Sequence, residues 1–187
     1  MKAGTLLISC LFCLSFAPCA EAQVTAEIES QPTAPIQITS AECVPVQTAG
    51  SQCKASVQFA SKGLWTAYGI KWTLTYQNGR TQTLSTTHDR SLGSAAVAGA
   101  FKPGEVVDFE TGAIGFRFNG NDIPLATAVV RVDFVIPAVG PAWGDMKSPN
   151  YQKVMATRRG FSQAMDYLRQ VYKNQGAAAM HKALGVQ

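Results

Sequence analysis

The chain has 187 residues, 47% of them hydrophobic and 15% charged, with a formal net charge of +4. That leaves room for one domain of ordinary size with extra segments at its ends, and excludes a string of large domains. The apolar content suffices for a core, charge is low against a usual quarter, and plentiful Thr, Gly, Ala, Val and Ser suit β-structure rich in turns.

Residues 1–22 read as an export signal. Lys2 and the free amine give a positive start, "LLISCLFCLSFA" an apolar run, and "AEA" small residues that place cleavage before Gln23. The run is shorter than the ~20 apolar residues that a bilayer span needs, which argues against a membrane anchor. Lipidation is the other alternative, but Cys10 lies too near the start and Cys19 follows a Pro. The expected product is secreted or periplasmic, with no transmembrane segment. Of five cysteines, Cys43 and Cys53 remain after cleavage, so a disulfide is the default in an oxidising compartment. It would staple a hairpin across "VPVQTAGSQ" and contribute roughly 2.5–3 kcal/mol through loop closure.

Residues 23–35, polar and with two prolines, read as a flexible lead-in to a β-domain over 36–146. Strands are predicted in "PIQITSAECVPV" and "CKASVQFAS". In "YGIKWTLTYQNGRTQTLSTT", Ile70, Trp72, Leu74 and Tyr76 alternate with polar residues, the pattern of a half-buried strand. A three-residue loop with Gly79 left-handed opposes Trp72 to Leu84, so the apolar residues meet. His88 falls in "TTHDRS", which reads as a loop after this hairpin, where the imidazole could rest against Asp89.

"AAVAGAF", the turn "KPGE" and the strand "EVVDFE" follow, then a weaker strand "AIGFRF" and the loop "NGNDIP". In "ATAVVRVDFVIP" the alternation assigns Ala128, Val130, Val132, Phe134 and Ile136 to one face, with Arg131 and Asp133 opposite. Seven or eight short strands within about a hundred residues predict an antiparallel β-sandwich, and Trp72 on a central strand suits an immunoglobulin-like one. The ending "VDFVIPAVGPAWGD" (Val132 to Asp145) resembles that of small exported bacterial immunoglobulin-like proteins with a WGxD-like close and no assigned function. "GPA" stands here where "DG" usually precedes the Trp. The resemblance implies the fold and the compartment, and carries no activity.

The last segment, 147–187, reads as a basic helix and tail. Ser148 is the expected N-cap, Pro149 the first helical residue and Gly176 the stop, with a short helical turn possible in "AAAMHKALG". Tyr151, Val154, Phe161, Met165, Leu168 and Tyr172 follow a three-four spacing, with Arg158 in the remaining slot. Val154, Phe161, Met165 and Leu168 would each gain roughly 1.5–3 kcal/mol on full burial. Three coverings fit: the chain's own sandwich, a partner protein or second copy, or an anionic surface. Residues 147–187 carry seven basic side chains against Asp166, a net +6, whereas residues 23–146 carry eight basic and ten acidic, a net −2.

Signs of chemistry are sparse. No nucleophile, metal-protease or phosphate-loop motif is present, and neither histidine has a ligand partner at helical spacing. No cofactor or metal is expected. Glu105, Asp108, Glu110 and Asp133 alternate with apolar residues as a solvent face does, although a pair could flank a glycosidic bond. Trp65 and Trp143 stand outside the strand pattern, where a Trp either plugs the end of the core or anchors a glycan or peptide in a loop. Export and the lack of interleaved aromatic and basic residues argue against nucleic acid. The expectation is a non-catalytic binding or envelope-structural module, with a helix-docking interaction protein and a small envelope hydrolase as alternatives. An envelope protein, a glycan or a second copy would be its partner.

Overall fold

The computed structural model describes residues 23–46, 50–59, 62–92 and 99–185. The export-signal reading of 1–22 and most of "AAVAGAF" lie outside them. The chain is mainly β, a sandwich with one C-terminal helix. Six strands of five or more residues carry it: β3 (Ile36–Pro45), β4 (Ser51–Phe59), β5 (Trp65–Tyr76), β6 (Thr81–Asp89), β7 (Val106–Glu110) and β10 (Leu125–Pro137). Two-residue pairings complete it at β1 (Val24–Thr25), β2 (Glu27–Ile28), β8 (Arg117–Phe118), β9 (Asn121–Asp122) and β11 (Trp143–Gly144). One sheet has the order β1-β3-β4-β7 and the other β11-β10-β5-β6, with β2 beside β10.

Alternation explains the core. Val57 and Phe59 from β4 meet Tyr68, Ile70, Trp72 and Leu74 from β5 and Val130, Val132 and Val135 from β10, all buried. Trp72 is fully covered, with Phe109 of β7 edge-on to it at 6.4 Å. The β5–β6 hairpin has the predicted register, Trp72 opposite Leu84, and Gly79 takes a φ of 79°. Cys43 and Cys53 oppose each other in the β3–β4 pair and form the disulfide. Because backbone pairing already holds these residues together, the bridge acts chiefly on the unfolded chain. Reduction is therefore expected to lower the urea midpoint while leaving the far-ultraviolet circular dichroism of the folded protein unchanged. Loss of the β signal on reduction alone would contradict this.

Three expectations need correction. Residues 23–35 are not merely a lead-in: β1 pairs with β3 and β2 runs parallel to β10. Val24, Ala26 and Ile28 alternate, and Ala26 is buried where the chain passes from one sheet to the other. Gln31 then imitates a strand, its amide donating to the Val132 carbonyl at 3.0 Å and its carbonyl accepting from the Val132 N–H at 2.8 Å. Second, β6 runs on through His88 and Asp89, opposite Tyr68 and Ala67, so His88 is on a strand and not in a loop.

Third, β10 does not keep one apolar face. Its pairing with β5 shifts between Val132 and Phe134, which meet Ile70 and Gly69. The extra residue of this bulge reverses the alternation. Val135 enters the sandwich core, while Phe134 and Ile136 join Ala67 in a separate cluster. Asp133, expected at the solvent face, is only 3% exposed, and neither carboxylate oxygen has a hydrogen-bond partner in the protein.

Candidate functional site

The reversed end of β10 is the seat of the helix. α1 (Pro149–Ala183) begins as predicted: the Ser148 hydroxyl accepts from the Tyr151 N–H at 3.2 Å and Pro149 opens the first turn. Val154, flanked by Tyr151 and Met155, packs on Ala67, Phe134 and Ile136. The Tyr151 ring meets the Phe134 ring edge-on at 5.4 Å. Gly69 makes room for this, since a Cβ there would lie 2.4 Å from Phe134 Cε1.

Arg158 closes the seat. Its Nε and Nη2 donate to the two Asp89 carboxylate oxygens, each at 2.9 Å, and Nη2 also donates to Thr66 Oγ1 at 3.0 Å. The pair is largely enclosed, the side chains being 20% and 15% exposed. Burial alone would raise the Asp89 carboxyl, but hydrogen bonds from Arg158 and Ser91 and the guanidinium charge outweigh it and hold it below the ordinary carboxylate range. Asp89 thus serves Arg158 and not His88. The single charge interrupting the apolar stripe is the one that locks it.

Beyond Arg158 the stripe changes surroundings. Residues 159–164 are all exposed, Phe161 at 51% and Tyr172 at 56%, with Met165 and Leu168 half-buried. Only Val154 of the predicted stripe is buried, and Val171, which was not assigned to it, is buried as well. Among the described residues, side-chain hydrogen bonds and ion pairs C-terminal to Arg158 stay within the helix. The contacts of the helix progress from Phe134, Ile136 and Ala67 to Thr66 and Asp89, at the start of β5 and the end of β6, so Arg158 sits where this strand pair ends. Gly176, at φ 81°, breaks the helical dihedrals where a stop was predicted, and helix resumes to Ala183, further than the single turn expected.

None of the three candidate loop residues belongs to the apolar cluster under the helix. Trp65 pairs its backbone with Phe101, Trp143 pairs with Val135, and both are half-buried against the core. His88 stacks on the Tyr68 ring at 5.0 Å, with Phe109 at 5.8 Å. Burial, and then the charge of Arg90, lowers its pKa and favours the neutral imidazole.

A groove of about 740 Å³ on the β3-β4-β7 sheet was not foreseen. Two cross-strand rows cross it, Ser40–Ser56–Asp108 and Glu42–Lys54–Glu110. Ser56 donates to Asp108 at 2.6 Å, and Lys54 lies 3.7 Å from Glu110. The i, i+2 spacing of Asp108 and Glu110 was the available sign that both share a face. Pairing with Glu42 depends on strand register, which sequence alone does not supply. The groove offers hydrogen-bond acceptors to a polar ligand. Among the described residues, no group of three or more His, Cys, Asp or Glu side chains could hold a metal ion, and no helix is long and apolar enough to cross a membrane. Comparison with protein-family models, curated proteins and solved structures returned no match.

Proposed function

We propose that the chain is an exported, non-catalytic interaction module whose contact element is the part of α1 beyond Arg158. One observation carries this reading: the helix is locked to the sandwich over its first turns, then presents Phe161 and Tyr172 to solvent on the same stripe that buried Val154. An amphipathic helix seated at one end, with large aromatic side chains exposed further along, is suited to docking. The leader-like residues 1–22 and the Cys43–Cys53 bridge support export. An immunoglobulin-like assignment, in keeping with the resemblance of the "VDFVIPAVGPAWGD" ending, is supported by a chain that crosses between sheets after β4, after β6 and after β7.

Amide hydrogen exchange tests the reading. Amides around Val154 to Arg158 should exchange slowly at every protein concentration, and those from Phe161 to Tyr172 faster when the protein is dilute and alone. Equal, concentration-independent protection along the whole helix would make α1 a structural cover, and the search for a binding surface would move to the groove.

A further inference from the structure

The outer helix needs an occupant, and we infer that it is an anionic lipid surface. This rests on the reading of α1 beyond Arg158 as the contact element. Charge is the first argument. Residues 159–185 carry Arg159, Arg169, Lys173 and Lys182 against the single Asp166. Among the described residues none of these four basic side chains pairs with the sandwich, and Arg169 bridges to Asp166, at 2.9 Å, within the helix. Such an exposed pair holds a cation weakly, so all four remain available to an anionic partner. The sandwich has the opposite balance, eight basic to ten acidic over residues 23–146, and its groove gathers Glu42, Asp108 and Glu110 around one lysine. A negatively charged surface therefore attracts the helix and repels the body, which orients the molecule as well as binding it.

Shape is the second argument. Phe161 and Tyr172 are exposed on one stripe with the half-buried Met165 and Leu168 between them, and Arg169 and Lys173, four residues apart, lie along one flank of it. An apolar stripe beside basic side chains fits the boundary between headgroups and acyl chains, where the rings and aliphatic groups enter and the cations meet phosphate. A second copy fits less well. From Phe161 to Tyr172 the stripe is about 17 Å long on a helix about 10 Å wide. That gives each copy a few hundred Å² to bury, well short of the ~800 Å² per partner of a stable interface. Pairing two such helices would also bring like charges together.

The test is co-sedimentation of the exported chain, as the cell processes it, with vesicles of phosphatidylcholine alone and of phosphatidylcholine mixed with phosphatidylglycerol. Binding is expected to the mixed vesicles only, to weaken as salt screens it, and to protect amides from Phe161 to Tyr172. Replacing Arg159, Arg169 and Lys173 together by glutamine should weaken it about a hundredfold, since each basic side chain near the surface contributes about 1 kcal/mol. Any retained leader would contribute equally to wild type and variant. Equal binding to both vesicle types, or no change in the triple variant, overturns the proposal. Absence of vesicle binding, with those amides protected only at high protein concentration, overturns it in favour of a second copy and keeps the outer helix as contact element. No binding, with concentration-independent protection, overturns both.

Discussion

Gly69→Val is expected to unseat the helix and to lower stability by about 3 kcal/mol, the upper end of what overpacking costs. The first side-chain atom alone would stand 2.4 Å from Phe134 Cε1 and 2.8 Å from Cδ1. Valine adds two methyl groups to that clash. Phe134 cannot retreat freely, because its ring meets Tyr151 and shares a cluster with Ala67, Ile136 and Val154. The damage should spread outward, to the first turns of α1, before it reaches Trp72 on the other side of β5. Urea denaturation gives the magnitude, and hydrogen exchange at residues 150–158 gives the place. Gly160→Ala supplies the contrast: a Cβ there meets nothing within 4 Å, so the change should stabilise by about 1 kcal/mol. If Gly69→Val unfolds at the wild-type urea concentration, the helix is not seated on Phe134.

Asp89→Ala should cost about 3 kcal/mol, because it strands the Arg158 guanidinium in a site that is four-fifths covered. The second half of the prediction discriminates. Combining Asp89→Ala with Arg158→Met should recover most of the loss, since methionine continues the apolar stripe and leaves no charge behind. If the double variant is as unstable as the single one, the pair does more than neutralise itself. The same pair sets an acid limit. The Asp89 carboxyl is depressed in the folded state, so its contribution is complete above its unfolded pKa of about 3.9 and is lost as pH falls through the lower folded value. Helix docking should thus weaken in strong acid and be insensitive to pH between neutrality and mild acidity. In Asp89→Ala that acid dependence should shrink.

Much of the sandwich could be read from local pattern. The β5–β6 register followed from matching Trp72 to Leu84, and the disulfide from two remaining cysteines at hairpin spacing. The helix start followed from Ser148 and Pro149. What escaped was set by partners distant in the chain. Nothing near Asp133 announces a bulge, because the pairing that skips a residue belongs to β5, more than sixty residues earlier. The short strands at Val24 and Glu27 were hidden by prolines that follow them, at positions 32 and 35. The stripe on α1 was legible as a stripe, but its division at Arg158 depends on Asp89 and Thr66, which lie far earlier in the chain. The groove on the opposite sheet needed three strands in register before its two rows existed at all.

The bulge in β10 also makes the chain count its own residues. Asp133 is the residue left over in the count: were it paired regularly with β5, the sides would be exchanged for everything that follows, Phe134 and Ile136 turning into the sandwich and Val135 out of it. Turns elsewhere, such as Asn119–Gly120 between β8 and β9, can lengthen or shorten at small cost, because no core register depends on them. Descendants of this sequence can therefore vary in length at their turns, but a β10 that took Asp133 into regular pairing would lose the platform on which the helix stands.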